Sequence, residues 1–153
     1  MVPERKIKYD ILVIALGSIS NDFNTMGVKN HCMFLDSMKQ AKNFHHKLLE
    51  LLLKNSTQEV NKKVTVAIVG GGATGVELAA EVHNAVEILE SYNALHSVKK
   101  NILNVIIIEA GKKILPNLPE NIANAALIEL KKIGITVVHN TTISRVEKNT
   151  LYT

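Results

Sequence analysis

The sequence is poorest in the residues that would staple, stack or span. There is one cysteine, Cys32, in 153 residues. An internal disulfide and a CxxC redox or zinc motif are therefore excluded, and a reducing compartment fits best. There is no tryptophan, and aromatic residues make up 4%. The net charge of +4 comes from lysines scattered along the chain. Nucleic-acid surfaces concentrate basic residues and interleave stacking aromatics, so no nucleic-acid partner is expected. No apolar run approaches the roughly 20 residues that span a bilayer. The opening "MVPERKIKYD" is charged and lacks the apolar core of a signal peptide, so the location expected is cytoplasmic. The histidines are dispersed, with no H-E-x-x-H and no G-x-S-x-G, and His45 and His46 are adjacent and diverge around a helix. Metal and triad chemistry lose their local geometry.

What remains is 46% hydrophobic and 21% charged, the balance of one globular domain with a real core. "YDILVIALGS" (Tyr9 to Ser18) is a continuous apolar run ending in glycine and reads as a buried strand. "NDFNTMGVKNH" (Asn21 to His31) has no period and reads as loop. A helix is expected from Asp36 to Lys54, with Asp36 or Ser37 as its cap. Its stripe of Phe44, Leu48, Leu51 and Leu52 is widened by Leu49 and Leu53, which implies burial on more than one side. "VTVAIV" (Val64 to Val69) and "ILNVIIIEA" (Ile102 to Ala110) read as buried strands. Between them a helix starts near Thr74 and reaches about Glu90. A further helix runs from Pro119 to Ile133, with Gly134 as its stop, before a strand at Ile135 to Asn140. In "TTISRVEKN", Ile143, Arg145 and Glu147 share a face at period two, as in a more exposed strand. Strand, helix, strand, helix, strand is the order of a doubly wound α/β domain.

The chemistry lies in "VAIVGGGATGVELAAEV", Val66 to Val82. Gly70, Gly72 and Gly75 satisfy G-x-G-x-x-G, placed after a strand and before a helix. In that context Gly70 permits the tight turn, Gly72 lets a pyrophosphate approach bare backbone, and Gly75 lets the helix pack close. Gly71 and Ala73 are small and add room. Thr74 opens the helix, whose free N–H groups and positive dipole end face the phosphates. The following strand ends in Glu109, which is positioned to accept hydrogen bonds from the adenosine ribose and repel a 2′-phosphate, favouring NAD(H). Lys112 and Lys113 would soften that preference. The alternative is that Glu109 merely ends a strand at the surface. Glu109 stands 39 positions after Gly70, against roughly 20 in the usual pattern, so a longer helix or an insertion over residues 83 to 101 is expected. Glu77 carries two readings, stabilisation of the helix dipole in the first turn and proximity to the nicotinamide.

Taken together, "YDILVIALGS", "VAIVGGGATGVELAAEV" and "VIIIEAGKKILP" resemble the FAD-dependent pyridine-nucleotide oxidoreductases, and among them the type II, non-proton-pumping NADH dehydrogenases. The resemblance covers Tyr9 to about Glu147. It departs where many relatives carry Thr in place of Leu16. It implies a Rossmann-like parallel sheet with helices on both faces and a small antiparallel strand element near the C-terminus. It implies that Gly70, Gly71, Gly72, Ala73, Thr74 and Gly75 hold NADH, that Glu109 holds the ribose, and that Glu77 lies close to the nicotinamide. Leu16, Gly17 and Ser18 would lie on the turn leaving the FAD domain. In such a family hydride passes from NADH to FAD and on to a quinone at the membrane, the parent being peripheral on the cytoplasmic face of the inner membrane. Residues 1–22 are then expected to be a remnant of the FAD domain, and 23–153 a C-terminally truncated NAD(H)-binding domain. The rest of the FAD domain is the expected partner, and a homodimer through the orphaned strand Tyr9 to Leu16 is a second possibility. Taken alone, the chain is expected to bind no FAD stably and to be inactive. Two other readings remain at this point: the NAD(P)H domain of a disulfide or of a ferredoxin- or rubredoxin-type reductase, and a non-catalytic dinucleotide-sensing module.

Overall fold

The computed structural model describes residues 3, 5–15, 17, 19–56, 63–91 and 102–153. Two short stretches of β-branched and aliphatic residues form the centre, β1 (Val64–Val69) and β2 (Leu103–Ile108), paired in parallel from Val64↔Leu103 to Val69↔Ile108. β3 (Thr136–Val138) joins β2 in parallel, giving the order β1-β2-β3. α3 (Ala73–Ser91) connects β1 to β2, and α4 (Glu120–Lys132) connects β2 to β3. Among the described residues two elements precede the sheet, α1 (Val28–His31) and α2 (Met38–Ser56). A hairpin of β4 (Arg145–Glu147) and β5 (Thr150–Tyr152) follows it. The mixed class expected from the sequence, a parallel α/β sheet with a small antiparallel element, is the one adopted.

Local chemistry sets the helix ends. Ser37 Oγ accepts the Gln40 N–H at 3.3 Å and so caps α2, while Gln40 Oε1 reaches back to accept the Asp36 N–H at 2.8 Å. α4 stops at Gly134, whose φ is +84°. The Gly134 N–H donates to the Lys131 carbonyl and the Ile135 N–H to the Leu130 carbonyl, at 3.0 and 2.9 Å. This is the paired closure of a Schellman motif, and its accompanying apolar contact is supplied by Leu130 and Ile135, both buried.

The core lies on one face of the sheet. Val64, Val66 and Ile68 of β1, Leu103, Val105 and Ile107 of β2, and Val137 of β3 pack with Leu48 and Leu52 of α2, Ala79, Val82 and Val86 of α3, and Leu130 of α4. The other face presents Thr65, Ala67, Val69, Asn104, Ile106, Ile108, Thr136 and Val138, none of them buried. Helices on both faces were expected, but those described here cover one. With strands added in one direction, successive crossovers of one hand lay their helices on the same side.

Three other expectations are corrected. Of the run Tyr9 to Leu16, residues 9–15 are not a buried strand: they pair with no strand among the described residues, and Ile11 and Val13 are 85% and 79% exposed. Leu16 and Ser18 lie outside the described residues, as does segment 92–101. The stretch Asn21 to His31 is not all loop, because it contains α1 and a parallel bridge from Met26 to Arg145. On α2 only the side bearing Phe44, Leu48 and Leu52 enters the core, while Leu51 and Leu53 stay exposed. In the C-terminal segment Ile143 and Val146 are the buried residues, and "TLY" forms the return strand of the hairpin.

Candidate dinucleotide site

The site forms where β1 and β2 end. The Gly70 N–H donates to the Ile108 carbonyl at 2.8 Å, extending the ladder by one step, and the chain then turns with Gly70 at φ +110°. Only glycine adopts that φ without strain. The Gly72 carbonyl accepts the Val76 N–H at 3.0 Å and so opens α3. The N–H groups of Ala73, Thr74 and Gly75, at the first positions of the helix, have no intrahelical acceptor and point out of its N-terminus with the positive end of the dipole. A Cβ on Gly75 would collide with the Gly70 carbonyl, the close approach of helix and strand that the third glycine was expected to allow. A Cβ on Gly72 would meet nothing within 4 Å. That space lies on the solvent side of the loop, where a phosphate has room to approach.

Glu109 is brought to this loop from the end of β2. Its Oε2 accepts the Gly71 N–H and its Oε1 the Gly111 N–H, both at 2.6 Å. Its backbone is tied as well: its N–H donates to the Val138 carbonyl and its carbonyl accepts from the Thr141 N–H, at 2.8 and 3.0 Å. Glu109 is therefore not a loose acid at a strand end. Lys113 turns away and donates to the Leu118 carbonyl at 2.8 Å, whereas Lys112 is exposed.

Gly70 to Gly75 and Glu109 thus converge. Glu77 is exposed on α3 and lies beyond its first turn, because the helix begins at Ala73, one residue earlier than expected. That placement weakens its reading as a dipole partner, since the effect falls off within the first turn. The sequence reading missed Gly111, Ile114 and Leu115, which buttress the loop from the β2 side. The signal available for them was the glycine following Glu109 in "EAGKKIL". A separate hollow among the described residues is lined by Ser20, Asp22, Lys29, Phe34 and Asp36. It is wide open, and its polar groups already pair with each other: Asp36 accepts from Ser20, and Asp22 meets Lys29 at 3.2 Å.

A parallel sheet whose first crossover starts with three spaced glycines, and whose second strand ends in an acid, defines the class of dinucleotide-binding α/β domains. The chain belongs to the pyridine nucleotide-disulphide oxidoreductase family, whose model matches residues 2–152. It is similar to the type II NADH:quinone oxidoreductase of Haemophilus influenzae, at 49% identity over the whole chain and 38% of that protein. It is also similar to the external alternative NAD(P)H-ubiquinone oxidoreductase B1 of Solanum tuberosum mitochondria, at 34% identity over 86% of this chain and 23% of that one. Among solved structures, NDH2 from Plasmodium falciparum in complex with NADH matches with a TM-score of 0.74 at 31% identity, over 93% of this chain and 29% of that one. The chain thus spans well under half the length of these relatives.

Proposed function

We propose that this chain is the NAD(H)-binding unit of a flavin-dependent type II NADH:quinone oxidoreductase. The observation that carries the reading is the convergence of the Gly70–Gly75 loop, the open space above Gly72 and the Glu109 carboxylate at one end of the sheet. The N–H groups of Ala73, Thr74 and Gly75 hold the pyrophosphate. Glu109 accepts from the ribose hydroxyls and repels a 2′-phosphate. Glu77, exposed one turn up α3, lies on the side of the nicotinamide. In the complete enzyme FAD would take the hydride from NADH and a quinone would reoxidise it. This chain's residues bind and orient the donor. Relatives named for NADH:quinone oxidation, and a solved relative named as a complex with NADH, support the same reading.

The exposed apolar run Ile11 to Ile14 is the surface this unit offers to the flavin-binding portion, and pairing with a second copy through that run is the competing use. A quinone acceptor would hold the complete parent at a membrane surface, peripherally on its cytoplasmic face; among the described residues no helix is long and apolar enough to cross a membrane.

Calorimetric titration of NADH and NADPH into the chain tests the reading. NADH is expected to bind at least about tenfold more tightly than NADPH, since Glu109 opposes a 2′-phosphate. Gly72→Val is expected to weaken NADH by about tenfold or more, because its side chain fills the phosphate's space. Equal binding of the two nucleotides, or an unaffected valine variant, would refute it.

A further inference from the structure

Gly71 occupies a variable position of G-x-G-x-x-G, where any residue satisfies the pattern, yet it is the one buried residue of the Gly70–Gly75 loop. Its N–H donates to Glu109 Oε2 at 2.6 Å, and its carbonyl accepts the Leu115 N–H at 2.7 Å. A Cβ there would come 2.8 Å from Ile114 Cγ2 and 3.0 Å from Glu109 Oε2, and Ile114 is itself only 1% exposed. The second carboxylate oxygen is engaged by the Gly111 N–H, and a Cβ on Gly111 would stand 3.0 Å from it. Both loops that frame the site therefore meet at one carboxylate.

We propose that Glu109 is a positioning residue for the phosphate loop in addition to accepting from the ribose. Its carboxylate clasps Gly71 and Gly111, and so fixes the 70–75 loop against the 109–115 loop before any ligand arrives. The dinucleotide reading supplies what binds, whereas the clasp is a property of the ligand-free chain. The two roles are compatible, because an ionised carboxylate has about four lone-pair sites and the clasp uses two. The role of Gly71 changes with it. Its N–H is spent on Glu109, which leaves the pyrophosphate to the helix-terminal N–H groups of Ala73, Thr74 and Gly75. The clasp also sets two effects of opposite sign against each other. Removing a negative charge beside a phosphate site favours anions by charge alone, whereas loosening the loop that presents the donors disfavours them.

The test uses the whole chain with Glu109→Ala and the near-isosteric Glu109→Gln. The first readout is amide hydrogen exchange without ligand. The Gly71 and Gly111 amides should exchange about tenfold faster or more in Glu109→Ala, since charge-assisted hydrogen bonds are lost. Glu109→Gln keeps one acceptor oxygen and should restore part of the protection. The Ile135 amide, bonded to the Leu130 carbonyl across the molecule, should not change. Unchanged exchange at Gly71 and Gly111 would overturn the clasp. The second readout is titration of inorganic pyrophosphate, which has no ribose to contact Glu109. Weakening by several-fold in Glu109→Ala is expected, and unchanged or tighter binding would overturn the positioning role. If the wild-type chain bound neither pyrophosphate nor NADH, the dinucleotide reading would fall and with it the positioning role. The exchange result would still decide the clasp.

Discussion

Two glycines of one motif are required for different reasons, and substitution separates them. Gly75 is required by the protein, because a Cβ would strike the Gly70 carbonyl, which is backbone and cannot swing aside. Gly75→Ala should therefore lower the stability of the ligand-free chain by about 1–3 kcal/mol, the range for forced overpacking, read as a shift in urea midpoint. Gly72 is required by the ligand. Its φ is not in the left-handed region, and nothing lies near its missing Cβ. Gly72→Ala should leave stability unchanged or raise it by up to about 1 kcal/mol through the unfolded chain, while weakening NADH. Equal stability losses at the two positions would contradict this division. At this scale the motif glycines and Glu109 were legible because their chemistry is written in local spacing. The bond from Gly71 to Glu109 was not, since it joins residues 38 apart and depends on Ile114 filling the space beneath the loop. Glu77 missed the first turn for a smaller reason, the uncertainty of a helix start by one residue.

Between residues and the whole fold, elements form only where both a pattern and a partner exist. "YDILVIAL" has the stronger strand pattern, yet residues 9–15 stay exposed and pair with no strand among the described residues, because an isolated strand has no ladder to satisfy its backbone. The weaker "RVEKNTLY" does pair. Asn149, at φ +62°, turns the chain tightly enough for Glu147 to face Thr150. Across that hairpin the Arg145 guanidinium lies 4.1 Å from the centre of the Tyr152 ring, and the Tyr152 hydroxyl donates to Glu147 at 3.0 Å. Arg145 Nε stands 3.3 Å from the Glu147 carboxylate but is not aligned to donate to it, so that contact is an ion pair without a hydrogen bond. The hairpin is attached to the body through the Val146 N–H, which donates to the Met26 carbonyl at 2.9 Å beside Gly27.

Gly27 makes this attachment possible, with φ +82° and no Cβ to strike the Val146 carbonyl. Gly27→Ala should cost about 1–3 kcal/mol in urea unfolding and expose the hairpin to proteolysis before the sheet, and a wild-type digestion pattern would count against it. Near this joint, Asp22 accepts the Asn24 N–H and meets Lys29, and these contacts hold its carboxyl below the usual carboxylate value. A depressed acid stabilises the fold above its unfolded pKa of about 3.8 and loses that contribution as pH falls through its lower folded value. Acid unfolding of Asp22→Asn should accordingly be less steep than wild type below about pH 4, with the two curves parallel above about pH 5.

For the molecule as a whole, strand order decides what is covered. Adding β2 and then β3 on the same side of β1 puts both crossover helices on one face, and α2 joins them there. The expectation of two covered faces came from the general form of the class. The alternation within the strands held a counter-signal, because Thr65, Asn104 and Thr136 all fall on the uncovered side. That side nevertheless also carries Val69, Ile106, Ile108 and Val138, with Val69 more than half exposed. Contiguous apolar surface of this kind binds apolar probes and drives association, and the exposed run Ile11 to Ile14 adds a second apolar stretch. The folded chain should therefore enhance the fluorescence of an anilinonaphthalene dye at neutral pH and sediment faster as its concentration rises. Ile106→Thr with Val138→Thr should reduce both effects without changing the circular dichroism, since neither side chain belongs to the buried cluster. Ile107→Thr should instead unfold the chain, because Ile107 is fully buried and a hydroxyl there has no partner. Dye binding that survived the double substitution would move the apolar surface to residues 11–14. A matching double substitution of Ile11 and Val13 would then have to abolish it.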